Sequence, residues 1–320
     1  MEFDTEYTTV PTSTPTLVSS PARVHFWSGP APILVASVLW GSTGTAASFA
    51  PAGTSAAAIG SAGLALGGLL LYLTTRRRPG RRRSTAGTSA GDRWLLVLGA
   101  IAVAGYPVTF YPAVARTGVA MATVIALGSA PVFAGLLAWL TGQGRPSARW
   151  TAATLLAVSG CAVMVLGPTL GENRHQIDPL GVVLAACGGL TYAIYSMVGG
   201  RLIARGHDSG AVMGALFGGA ALLVLPVVLG TGIHWLTTPR GAAVALHLAV
   251  FTTFLAYLLF GFGLRHTTVT TATTLTLAEP AVAALLGVTV VGERLPLLSW
   301  CGMGVLALSL VLLTRPARTE

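Results

Sequence analysis

Leu127-Gly-Ser-Ala-Pro131-Val-Phe-Ala-Gly-Leu-Leu137 and Leu277-Ala-Glu-Pro280-Ala-Val-Ala-Ala-Leu-Leu286 are two versions of one phrase, with one residue of slip. The match extends in both directions. Arg116-Thr-Gly-Val119 precedes the first copy and Arg265-His-Thr-Thr-Val269 the second. Gln143-Gly-Arg-Pro146 follows the first, Glu293-Arg-Leu-Pro296 the second, and Trp150 then answers Trp300. The offset stays near 150 residues in a chain of 320, which reads as an internal duplication.

Both copies sit in apolar sequence. Hydrophobic residues make up 53 % of the chain and charged ones 9 %, against about 25 % charged in soluble domains. So few charges cannot cover a soluble protein of this size, which excludes a cytosolic enzyme or a free nucleic-acid binder and points to many membrane spans. Apolar runs cover 31–50, 54–75, 94–115, 119–140, 148–168, 179–201, 209–230, 241–263, 268–291 and 296–314. Each is near the roughly 20 residues needed to cross about 30 Å of hydrocarbon. The expected fold is an all-α integral membrane protein of ten transmembrane helices. Repeats occupy 30–168 and 179–314, and 1–29 and 315–320 are cytoplasmic tails, the first disordered. Five spans per repeat is an odd number, so the second repeat enters inverted relative to the first. Inverted repeats meeting near the midplane are an architecture of secondary transporters.

The net charge of +9 comes from 19 arginines and no lysine. Seven of them, Arg76, Arg77, Arg78, Arg81, Arg82, Arg83 and Arg93, fall in the segment after the second span. Basic loops stay cytoplasmic. Fixing this one inside puts both termini inside and divides the arginines fifteen to four between the two sides. The charge is thus an orientation signal, and no nucleic-acid partner is expected. No aromatic residues interleave these arginines, and the surrounding bilayer is their natural neighbour. Cys161, Cys187 and Cys301 are few, odd in number and far apart, so neither a disulfide framework nor a metal site is expected.

The order of local motifs resembles the EamA-type transporters of the drug/metabolite transporter superfamily. The matching patterns are Leu39-Trp40-Gly41-Ser42-Thr43 and Ala130-Pro131-Val-Phe in the first half. In the second half they are Glu279-Pro280 and Gly292-Glu293-Arg294-Leu295. The resemblance covers about 31–314 and implies an inner-membrane carrier for small organic solutes, often an exporter, with spans 1, 3, 4, 6, 8 and 9 around its cavity. It implies no cofactor.

One acidic residue stands apart. Glu279 lies about 11 residues from either end of its span, near the bilayer centre. A carboxylate there costs about 2.5–3.5 kcal/mol on insertion scales, so it should face a wet cavity, pair with a partner or hold a proton. Thr273, Thr276 and Glu279 are spaced i, i+3, i+6 and are expected to share one face as a polar stripe. In one reading Glu279 binds an ammonium group or exchanges a coupling proton; in the other it bonds locally around the break at Pro280. Trp40, Tyr106, Phe110, Tyr192, Tyr195 and Tyr257 lie within spans and form a candidate cavity wall for a small organic solute, the alternative being ordinary helix packing. Pro131 and Pro280 occupy equivalent places in the repeats and are the candidate bending points.

A chain without lysine cannot carry a phosphate-binding Gly-x-x-x-x-Gly-Lys-Ser/Thr loop, so transport would not be driven by its own ATP hydrolysis. An intramembrane enzyme would need a partner for Glu279, a nucleophile or a metal cluster. The remaining alternative to a carrier is a passive channel or a structural membrane protein.

Overall fold

The computed structural model describes residues 26–76, 89–167, 178–292 and 294–314. The expected tails apart from 26–29, the centre of the arginine-rich segment and residues 168–177 lie outside the described residues. Among the described residues the regular structure is helical throughout. It comprises α1 (Pro30–Ser48), α2 (Ala56–Arg76), α3 (Ala90–Leu140), α4 (Ala148–Leu166), α5 (Pro179–Ala204) and α6 (Ser209–Gly230). Next, α7 (Pro239–His247) runs through a π-helical stretch, Leu248–Leu255, into α8 (Ala256–Gly263). The pair α9 (Val269–Leu275) and α10 (Ala278–Leu286) follows, and α11 (Leu297–Thr314) ends the fold.

Sequence chemistry sets the helix starts. Ser89 and Asp92 form a reciprocal capping box on α3. Asp178, Asp208, Thr238 and Thr268 each accept a backbone N–H of the first turn of α5, α6, α7 and α9. Proline opens α1, α5 and α7, where its missing N–H costs nothing.

Eight helical segments are long and apolar enough to cross a membrane. The ten runs read from the sequence map onto them with two differences. The run 31–50 is the helix α1, but its second half is Gly, Ser, Thr and Ala, and it is not among the eight. The runs 94–115 and 119–140 fall in the single 51-residue segment α3. At about 1.5 Å per residue a straight helix of that length would run roughly 77 Å, far beyond a bilayer. It does not run straight, because Gly118 takes φ 80° and ψ 161° and divides it into arms 90–117 and 119–140. A side chain at 118 would meet open space, so the glycine is needed for its backbone conformation alone.

Small residues let the helices meet closely. A Cβ at Gly160 of α4 would lie 2.6 Å from the Leu306 nitrogen of α11, so these backbones touch. Gly63 and Gly67 of α2 meet Leu248 and Thr253, and Gly214 and Gly218 of α6 meet Thr75 and Tyr72. Along its length α3 packs on α5, and the pair is pinned at both ends. Arg205 and His207 bond Asp92 at one end, and Arg116 bonds Asp178 at 2.9 Å at the other. The Arg116 guanidinium, with help from the Gly181 N–H, holds the Asp178 carboxyl below the usual aspartate range.

Candidate functional site

Both arms of α3, together with α1, α2, α5, α6, the π-helical stretch, α8 and α10, enclose a cavity of about 360 Å³. Toward the Gly118 side its wall reaches the exposed residues Gly44 and Val119. Toward the arginine-rich end the fold is closed by fully packed side chains, among them Ile33, Leu202, Met213, Leu216, Phe260 and Leu275.

The structure brings Trp40, Tyr106, Phe110, Tyr192, Tyr195, Tyr257, Glu279 and Pro280 to this one wall. Trp40 packs on Tyr257 at 4.9 Å between centroids, and its Nε1–H donates to the Thr252 carbonyl at 2.8 Å. That carbonyl belongs to the π-helical stretch, whose wider turn departs from the regular ladder. Tyr106 and Phe110 stack one turn apart at 5.3 Å. The Tyr195 and Tyr257 hydroxyls bond each other at 3.1 Å, and the Tyr192 hydroxyl donates to Thr276 Oγ1 at 3.0 Å.

The expected polar stripe is broken up. Thr273 and Thr276 are buried behind the wall, donating to the backbone carbonyls of Val269, Thr270 and Thr273. The reason is local. Leu277 N bonds Thr274 O and Glu279 N bonds Thr276 O, both three residues back. Such tightened turns advance about 120° per residue instead of about 100°, which swings Glu279 off the threonine face. The Thr276 carbonyl that Pro280 would leave free is taken by the Glu279 N–H. Pro131 is buried in the second arm of α3 with helical φ and ψ, and the departure from helix falls at Gly118 instead.

Glu279 has no hydrogen-bond or ion-pair partner among the described residues, and it lines the cavity. Further wall residues were not singled out by the sequence reading. Thr43 lies one turn from Trp40 on the same face, and Tyr111 adjoins Phe110. Thr123 stands one repeat length before Thr273, so the duplication itself pointed to it. A second cavity of about 650 Å³ lies beyond α1, where His247 approaches Ser42 Oγ at 2.9 Å near Arg240.

The model of the EamA-like transporter family matches this chain twice, over residues 27–166 and 179–315. The chain belongs to the EamA-like transporter family. It is therefore a multi-pass membrane protein of a transporter family, with a small-molecule substrate and the bilayer as surroundings. An uncharacterized transporter, YwfM, of Bacillus subtilis (strain 168) is 34 % identical over 90 % of this chain and 94 % of its own length. The threonine/homoserine exporter RhtA of Escherichia coli (strain K12) is 33 % identical over 43 % of this chain and 46 % of its own. A solved crystal structure shares the fold, with a TM-score of 0.73 at 17 % identity over 89 % of this chain and 96 % of that one.

Proposed function

We propose that this family member is a secondary carrier that exports small organic metabolites, amino acids or related solutes and drugs, by alternating access. The observation that carries the reading is Glu279: an acid with no partner among the described residues, lining an aromatic cavity near the middle of its segment. An intramembrane acid so placed is expected to meet a solute ammonium group or a coupling proton. The closed, packed end opposite the mouth favours a carrier over a passive channel, because a channel needs a continuous path. Among the described residues the wall sets neither a histidine nor a second acid beside Glu279, and the reading assigns transport.

The architecture under this proposal is ten spans in two inverted repeats. The two family matches, the break at Gly118 and the helix α1 support that count. Arginines at 76, 93, 145, 149, 201, 205 and 265 lie at one end of the helices and those at 116, 240 and 294 at the other. By the positive-inside rule the first end, with both termini, faces the cytoplasm of an inner membrane. The direction of export leans on the printed activity of RhtA. Counterflow in proteoliposomes, with and without a pH gradient, tests the reading. Glu279→Gln should insert normally and lose coupled transport; wild-type rates in that variant would overturn it.

A further inference from the structure

The polar groups of the cavity wall divide sharply into spent and unspent. The Trp40 N–H and the hydroxyls of Tyr192, Tyr195, Tyr257 and Thr252 all bond within the protein. The Glu279 carboxylate and the hydroxyls of Thr43, Thr123, Thr253, Tyr106 and Tyr111 have no partner among the described residues. Among the described residues the wall carries no arginine and no histidine, and the chain has no lysine. An occupant therefore meets one carboxyl group, several neutral hydroxyls and a predominance of aromatic surface.

Resting on the carrier reading, we propose that the cavity selects protonated organic amines, the ammonium against Glu279 and the apolar body against the aromatic wall, and rejects zwitterions of the same shape. An ammonium group gains a charge-assisted hydrogen bond from the carboxylate. It also gains attraction from the faces of Trp and Tyr rings, which is strongest where water is excluded. A solute carboxylate would lose its hydration and find no cation on the wall, the situation that makes a buried unpaired charge costly. A neutral solute of the same shape would lose the ion pair but suffer no such penalty. The order of preference is thus amine, then neutral, then zwitterion or anion. The amino acids within the broader functional reading fall to the bottom of it.

The test uses four probes built on one phenyl ring: phenethylamine, 2-phenylethanol, phenylalanine and phenylacetate. Binding to the purified full-length protein in detergent is measured by displacement and by thermal shift at neutral pH. Phenethylamine should bind at least tenfold tighter than phenylalanine or phenylacetate, with the alcohol between. This ranking is read on the wild-type chain, so it stands whatever a variant does. Glu279→Gln should bring the amine down to the level of the alcohol, and Glu279→Asp should keep the amine preference. Equal or tighter binding of phenylalanine, binding of none of the four, or an amine preference that survives in Glu279→Gln overturns the proposal. Counterflow separates this from the carrier reading. Exchange of a zwitterionic or neutral solute by a protein that rejects phenethylamine sinks the amine selectivity and leaves the carrier. Tight amine binding with no counterflow of any solute does the reverse.

Discussion

Gly41 sits on α1 against α10, directly behind the candidate acid. A Cβ built there would lie 2.7 Å from Val282 Cβ and 2.9 Å from the Glu279 carbonyl oxygen. Carbon atoms in good contact stand about 3.5–4.0 Å apart, so Gly41→Ala must push α10 away by roughly 0.8 Å. Overpacking of this kind costs about 1–3 kcal/mol. The substitution returns about 1 kcal/mol because alanine favours the helix over glycine. The net expectation is a loss of up to about 2 kcal/mol and a displaced Glu279. Gly44 provides the matched control on the same helix. It also lines the cavity, but a Cβ there meets nothing within 4 Å. Gly44→Ala should therefore be neutral or slightly stabilising. Thermal unfolding in detergent reads the stability difference, and counterflow reads the site. Equal melting temperatures and equal transport in the two variants would refute the claim that α1 and α10 touch at Gly41.

Three further outcomes follow from named contacts. Thr276→Val leaves the buried Tyr192 hydroxyl without its acceptor and should cost more than Tyr192→Phe, because Thr276 keeps its bond to Thr273 O in the second case; the orphaned group costs about 1–3 kcal/mol. Denaturation of the two single variants and the double variant measures the difference. Trp40→Phe keeps a ring against Tyr257 but loses the N–H bond to the Thr252 carbonyl, so apparent affinity should fall more than it does for Phe110→Leu in the same uptake assay. Asp178, held below its usual range by Arg116, contributes stability that is fully present above the unfolded carboxylate value and lost as pH falls through the lower folded one. Arg116→Gln should be less stable at neutral pH by only about 0–1 kcal/mol, because the pair is half-exposed, and the gap to the wild type should close as pH falls. A melting-temperature series from pH 7 downward checks it.

The acid and most of the wall were legible from residue type. Glu279 drew notice because a carboxylate is costly at that depth, and Trp40, Tyr106 and Tyr257 because they lie within spans. The error over Thr273 and Thr276 has a plain origin. An i, i+3, i+6 spacing assumes an unbroken α-helix, and the tight turns between α9 and α10 change the angle from one residue to the next. The proline in Glu279-Pro280 announced a break, but it did not say through what angle the chain would turn.

Apolar runs, the duplication near 150 residues and the lopsided arginines are properties of the chain alone. Length, hydropathy and charge decide whether a segment enters a bilayer, and none of these depends on what it packs against. Rotation about a helix axis is different. A membrane helix such as α6 is apolar all round, so its sequence carries little sign of which face turns inward. That was left to close packing at glycines, to Gly118, and to hydroxyl bonds across helices. Those contacts decided that Glu279 would line the cavity, unpaired among the described residues, while Thr276, three residues earlier, would not line it at all.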